Sequence, residues 1–180
     1  GKTVTTTYAD ATQKFVGKSA IPKVRGAFRL NASYKNFELT TQFTYSMGGY
    51  AYDSAYAGLM GNGSLGQNNW HTDVRNRWQQ PGDITGVPRL SAALDANVNA
   101  RSTRFLTKAD YFGLNNVQLG YNLPGKFADK LNLSKLNIFV SGDNLLFYSH
   151  RDGFNTSTSE SGSSDTYRYS PLSTFSLGLK

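Results

Sequence analysis

Cysteine is absent from the 180 residues, which excludes a disulfide framework, a thiolate nucleophile and any Cys-based zinc site. Charge is scarce: Asp, Glu, Lys and Arg make up 17% of the chain, against about a quarter in ordinary globular domains. No apolar run approaches the roughly 18 residues that a membrane-spanning helix needs, and the mean hydropathy is −0.46. A membrane β-barrel escapes that exclusion, because its strands show lipid only every second side chain. A charged leader followed by an apolar core is also missing. The opening Gly1-Lys2-Thr3-Val4-Thr5 predicts either a cytoplasmic protein or an internal or C-terminal piece of an exported one.

Aromatic residues, at 13%, and 18 glycines are what the chain has in quantity. That content argues against disorder, which goes with few aromatics and many charges. It also argues against a helical bundle, which would be rich in Ala, Glu, Lys and Leu.

Two-residue alternation is the clearest periodicity. Phe28, Leu30, Ala32 and Tyr34 alternate with Arg29, Asn31, Ser33 and Lys35; beyond Asn36, residues Phe37, Leu39, Phe43, Tyr45 and Met47 share one face. Two such runs joined by a minimal polar turn predict a β-hairpin with strands over 26–35 and 37–47. Each is about 10 residues, the length of a tilted strand that crosses a bilayer. A third strand is predicted over 111–123. Its apolar phase slips from Phe112 and Leu114 to Val117, Leu119 and Tyr121, as one β-bulge at Asn115-Asn116 would produce. Further strands are expected over 135–148 and 172–180. Turns after the first and third strands are short, whereas 48–109 and 149–170 are long. Long structureless connections are uncommon in compact soluble domains, while short periplasmic turns opposite long extracellular loops are usual in outer-membrane barrels. The fold class read from this pattern is all-β: an antiparallel meander of about five long strands, part of a transmembrane β-barrel with long extracellular loops.

Motifs that carry chemistry fail on context. Gly61-Asn62-Gly63-Ser64-Leu65-Gly66 has the spacing of a dinucleotide fingerprint, yet no strand–helix–strand unit surrounds it. His150-Arg151-Asp152 lacks the glycine-rich loop and lysine-bearing strand of a kinase. His71 and Asp73 have only His150 as a further histidine, which leaves a metal site unsupported. No nucleophile elbow or Ser-His-Asp order is present, so neither an enzyme nor a cofactor is expected. The net charge is +7, but Lys and Arg are scattered without a helix-turn-helix or basic arm, so nucleic acid is not expected as a partner. Within the long loop, Trp70, Val74 and Trp78 predict a short amphipathic helix behind Asn69 as cap. Tyr50, Tyr52, Trp70 and Trp78 are the candidates for ligand contact, set against packing of the loop upon itself. Phe28, Tyr34, Phe37, Tyr45 and Tyr121 sit where barrels place interfacial aromatic girdles. The segment 157–165 reads as a low-complexity loop tip.

Several runs together carry a family resemblance. They are Ile21-Pro22-Lys23-Val24-Arg25-Gly26-Ala27-Phe28, Tyr34-Lys35-Asn36-Phe37-Glu38-Leu39 and Tyr45-Ser46-Met47-Gly48-Gly49. Next come Asn76-Arg77-Trp78-Gln79-Gln80-Pro81-Gly82-Asp83 and Val87-Pro88-Arg89-Leu90. Further on are Ser102-Thr103-Arg104-Phe105-Leu106, Leu114-Asn115-Asn116-Val117-Gln118-Leu119-Gly120-Tyr121-Asn122-Leu123-Pro124 and Val140-Ser141-Gly142-Asp143-Asn144-Leu145-Leu146. In this order they resemble the late barrel of SusC/RagA-type TonB-dependent outer-membrane transporters.

The resemblance implies the C-terminal part of a plugged barrel of about 22 strands, in the outer membrane of a Gram-negative cell, with plug, TonB-contacting region and signal peptide upstream. It implies import of oligosaccharide, peptide or other nutrient oligomers, with a SusD-like lipoprotein, TonB and membrane lipid as partners and no covalent chemistry. Tyr50, Tyr52, Trp70 and Trp78 would contact ligand or lid. The family normally ends on an aromatic residue, whereas this sequence stops at Lys180, which suggests a trimmed end. The alternatives are a soluble all-β carbohydrate-binding module, with apolar faces meeting each other, and a porin-like channel without a lid.

Overall fold

A computed structural model describes residues 5, 7–61, 69–91, 97–130, 132–150, 153–154 and 171–180. β1 (Val24–Tyr34) and β2 (Phe37–Met47) form the hairpin expected from the alternation. Lys35 makes its tight turn at φ 53, in the left-handed region that a two-residue connection demands. The chain then leaves the sheet. It forms β3 (Tyr50–Tyr52), the short helix α1 (Ser54–Leu59), 3₁₀ turns at Thr72–Asn76 and Thr103–Phe105, and β4 (Leu106–Lys108), which pairs with β3. It returns as β5 (Tyr111–Asn122), turns through α2 (Gly125–Lys130), and completes the sheet with β6 (Asn137–Ser149) and β7 (Thr174–Leu179). The five long strands lie in the order β1-β2-β5-β6-β7, every neighbouring pair antiparallel. Chain order and sheet order therefore coincide: this is a meander.

Register sorts the side chains. Residues directly opposite share a face. One row runs Tyr34, Phe37, Tyr121, Ile138, Leu179, and the next runs Ala32, Leu39, Leu119, Val140, Leu177. Farther along come Leu30, Thr41, Val117, Gly142, Phe175, then Phe28, Phe43, Leu114, Leu146. The same face is predominantly apolar across all five strands. The opposite face carries Arg29, Asn31, Glu38, Thr40, Gln42, Asn116, Gln118, Asn122, Asn137 and Asp143.

The phase slip in β5 is a bulge. Gln42 pairs with Asn116 and Phe43 with Leu114, so Asn115 is the extra residue. It returns Val117, Leu119 and Tyr121 to the face that holds Phe112 and Leu114. On the other side, β6 inserts both Asn144, at φ 54, and Leu145. Two extra residues leave its alternation in phase.

None of the buried apolar residues lies on these five strands. Burial is instead concentrated in the excursion between β2 and β5, where Ala57, Met60, Val74 and Phe105 make a core. Tyr52, Tyr56, Trp70, Val87 and Leu90 pack around it. A second cluster joins Ala51, Ala109 and Phe154.

Candidate functional site

The wall comes first. Its apolar face stays bare among the described residues: Tyr34 is 73%, Leu177 75% and Leu179 70% exposed. β1 has 11 residues, which at about 3.4 Å each and a tilt near 40° rise roughly 25–30 Å. That matches the apolar band of a barrel, about 25 Å tall. Aromatic rings gather at two heights. Phe37 and Tyr121 meet at 4.8 Å beside the Lys35-Asn36 turn. Toward the other end Phe28 stacks on Phe43 at 4.8 Å, and Phe43 on Phe112 at 5.6 Å. Leu30, Ala32, Leu39, Val117, Leu119, Val140 and Leu177 fill the band between them, the arrangement of two interfacial girdles around a hydrocarbon zone.

The inner face is knitted by side-chain hydrogen bonds across successive strands. Arg29 Nη2 donates to Gln42 Oε1 at 2.9 Å and Thr40 Oγ1 to Asn31 Oδ1 at 2.9 Å. Asn122 Nδ2 donates to Glu38 Oε1 at 2.7 Å, Asn137 Nδ2 to Asn122 Oδ1 at 2.9 Å, and Asn116 Nδ2 to Asp143 Oδ1 at 2.7 Å. A face so provided with donors and acceptors belongs beside water or other polar groups, not hydrocarbon.

The excursion from 48 to 110 closes on itself at its base. Asp110 Oδ1 accepts from the Gly48 N–H at 2.6 Å, and the Ala109 N–H donates to the Gly49 carbonyl at 2.9 Å. Asp53, 2% exposed, caps α1 by accepting from the Tyr56 N–H at 3.0 Å. The Tyr56 hydroxyl donates to Asp73 Oδ2 at 2.7 Å, and its ring stands edge-on to His71 at 4.8 Å. His71 Nδ1 lies 3.2 Å from the Asp73 backbone nitrogen and 3.3 Å from Asp73 Oδ2. The Tyr52 and Tyr56 rings meet Phe105 edge-on at 6.2 and 6.0 Å. Burial raises the Tyr52 phenol above its ordinary value; the Arg101 guanidinium opposes this and Tyr8 adds to it.

Of the four candidate contact residues, Tyr52 and Trp70 come together around the Phe105 core. The Trp70 indole N–H has no hydrogen-bond partner among the described residues. Tyr50 lies under the Lys18 ammonium, 4.6 Å from its ring centre. Trp78, half-buried, opens a turn closed by its own N–H to the Val87 carbonyl at 2.9 Å. Those two are outside that cluster.

The helix expected through Trp70, Val74 and Trp78 is a correction. Only the 3₁₀ turn Thr72–Asn76 forms, capped by His71 instead of Asn69, and Arg77 is already extended at ψ 156. One turn suffices to bury Val74, and Trp70 reaches the core from outside it. Sequence reading missed β3, β4 and α1. Strands of three residues fall below any periodicity signal, although Asp53 before Ser54-Ala55-Tyr56 carries a usable N-cap signature. Most of the 61–66 glycine motif, Arg151, Asp152 and the 157–165 tip lie outside the described residues. Among the described residues, no group of three or more His, Cys, Asp or Glu could hold a metal.

A single sheet with a bare apolar face, aromatic girdles and a polar inner face defines the wall of a membrane β-barrel; five strands do not close it. No family model matches the chain. "TonB-dependent receptor P3" of Formosa agariphila is 29% identical over 179 residues, covering 94% of this chain and 17% of the relative. "TonB-dependent receptor P39" of the same organism is 26% identical over 161 residues, covering 86% and 15%. Among solved structures, the RagAB peptide transporter superposes with a TM-score of 0.72 at 26% identity, over 91% of this chain and 18% of that one. The RagAB peptide importer in its 'closed-closed' state gives 0.74 at 25% identity, over 97% and 19%. The chain thus spans under one-fifth of the length of these relatives. Over nearly its whole length it is similar to one segment of SusC/RagA-type TonB-dependent transporters of the Gram-negative outer membrane. The named relatives are receptors and importers, not enzymes.

Proposed function

We propose that this chain supplies barrel wall and outer loops to a transporter that imports nutrient oligomers, oligosaccharide or peptide. Capture would occur at the outer face beneath a SusD-like lipoprotein lid, with release driven by TonB through a region outside this segment. The observation that carries the reading is the two-faced sheet, predominantly apolar on one side over all five strands, with Thr41 as a polar exception, and hydrogen-bonded on the other side. A soluble carbohydrate-binding sandwich would bring its apolar face against a second layer; here no layer covers it among the described residues. Relatives named as TonB-dependent receptors and peptide importers support the transport assignment.

The excursion between β2 and β5 and the segment between β6 and β7 belong, in this reading, to the extracellular side. Tyr50 and Trp78 are the proposed contacts for lid or ligand. Tyr52 and Trp70 hold the platform beneath them.

Uptake decides the matter. Cells that carry the full-length gene should take up labelled oligosaccharides or peptides, lose uptake on its deletion, and lose it equally under a protonophore that disables TonB. A lipoprotein should co-purify with the transporter. Energy-independent uptake with no lipoprotein attached would instead establish a porin-like channel.

A further inference from the structure

The end of the sheet that carries the short connections is predominantly basic. Lys35 stands in the β1–β2 turn, and Lys126, Lys130 and Lys135 lie in the β5–β6 connection, all four exposed. The two turns are neighbours: Asn36 Nδ2 donates to the Asn122 carbonyl at 2.7 Å, and the Asn122 N–H returns a bond to the Asn36 carbonyl at 2.8 Å. Asp129 is the one acid in the sequence of these turns. The next acid, Glu38, faces inward and accepts from Asn122.

Geometry aims this charge at the membrane edge. The Lys35 ammonium lies 5.3 Å from the centre of the Tyr34 ring, and Tyr34 belongs to the aromatic row that ends the apolar band. On α2, at about 100° per residue, Lys126, Phe127 and Lys130 occupy one arc. Ala128, 1% exposed, lies away from them, while Phe127 is 58% exposed. The connection is shaped, not slack: the Leu123 N–H donates to the Leu136 carbonyl at 2.8 Å, and the Leu133 N–H to the Ala128 carbonyl at 3.0 Å. Asn132 at φ 54 ends the helical turn.

We propose that Lys35, Lys126, Lys130 and Lys135, with Phe127, form a docking rim for anionic phospholipid headgroups of the periplasmic leaflet. The occupant follows from two facts. The rim continues the lipid-facing wall at the edge of its apolar band, where headgroups lie. Its charge is the complement of phosphate, and lysines on long stems bury their methylenes along apolar surface while the ammonium reaches the headgroup. The orientation, short connections toward the periplasm, rests on the transporter reading above.

The test uses the full-length transporter in nanodiscs of phosphatidylethanolamine with and without phosphatidylglycerol. Native mass spectrometry counts the lipids it retains. The wild type should retain phosphatidylglycerol in preference. Changing all four lysines to Gln should cut that preference at least about tenfold, and changing them to Arg should keep it. Heat-modifiable migration of each variant shows that the barrel has formed. Equal retention by the Gln variant overturns the proposal. So does preference for lipopolysaccharide phosphates alone, which assigns the rim to the outer leaflet. Loss of co-sedimentation with peptidoglycan while lipid selection stays intact also overturns it, in favour of a wall polymer. A wild-type chain that gives no heat-modifiable outer-membrane band would fail the transporter reading itself, an outcome distinct from the other three.

Discussion

Thr44 on β2 donates its hydroxyl to Asn115 Oδ1 at 2.5 Å, which ties the bulged residue of β5 to the inner face of the strand beside it. The bulge is what keeps Val117, Leu119 and Tyr121 on the lipid side. A strand's side-chain period is two, so removing one residue turns everything beyond it over. Deleting Asn115 from the full-length transporter should therefore drive those three residues inward and Gln118 outward. Assembly should be lost, read as disappearance of the heat-modifiable outer-membrane band. Asn115→Ala keeps the residue count and forfeits one hydrogen bond, about 1 kcal/mol. It should assemble. Equal assembly of the deletion and the Ala variant would mean that the register is not set there.

The two faces of β5 also predict opposite responses to charge. Leu119 faces lipid within the aliphatic band, and its neighbour Gln118 faces inward. Leu119→Arg should cost about 2–4 kcal/mol near the bilayer midplane, and Gln118→Arg far less. Denaturant titration of the transporter folded into lipid vesicles would measure both. Equal costs would remove the assignment of faces.

The sheet was legible because its signal is redundant. Phe28 to Tyr34 and Phe37 to Met47 alternate over whole strands, and the slip after Leu114 has one economical cause, a bulge. The loop was not legible, because its order comes from contacts distant in sequence. Phe105 meets Tyr52 and Tyr56 across most of the excursion, and no local period announces that. Trp70, Val74 and Trp78 imitate a helical stripe, yet tertiary burial of Val74 needs only one 3₁₀ turn. Periodicity reports which face an element buries; it says little when an element is three residues long. The same limit applies to the four aromatic contact candidates. Tyr52 and Trp70 share a cluster that their spacing does not reveal.

Phe105 is the largest fully buried side chain among the described residues, and it lies in the excursion, off the wall. Phe105→Ala should cost about 3–5 kcal/mol locally and loosen the excursion while the wall persists. Limited proteolysis of intact cells should then cut between β2 and β5 in the variant and spare the wild type. The barrel should remain heat-modifiable in both. If the substitution abolished barrel assembly as well, the excursion and the wall would be one cooperative unit instead of two.

Tyr52 gives the excursion a dependence on alkaline pH. Burial favours its neutral phenol, so the folded value lies above the ordinary 10.0. Below the ordinary value both folded and unfolded loops hold the proton, and the full stability is present. As pH rises past it, the unfolded loop ionises first and is favoured, so stability declines until the folded phenol also ionises. Resistance of the excursion to proteolysis should accordingly fall above about pH 10 in the wild type and fall less in Tyr52→Phe. The absorbance difference between the two proteins isolates the Tyr52 phenolate, whose midpoint should lie above that of free tyrosine. Arg101→Gln removes the guanidinium 5.8 Å from the ring centre, which favours the phenolate, and should move the midpoint higher still. A midpoint at or below the ordinary value would show that Arg101 outweighs burial, and the Arg101→Gln variant would then recover the upward shift.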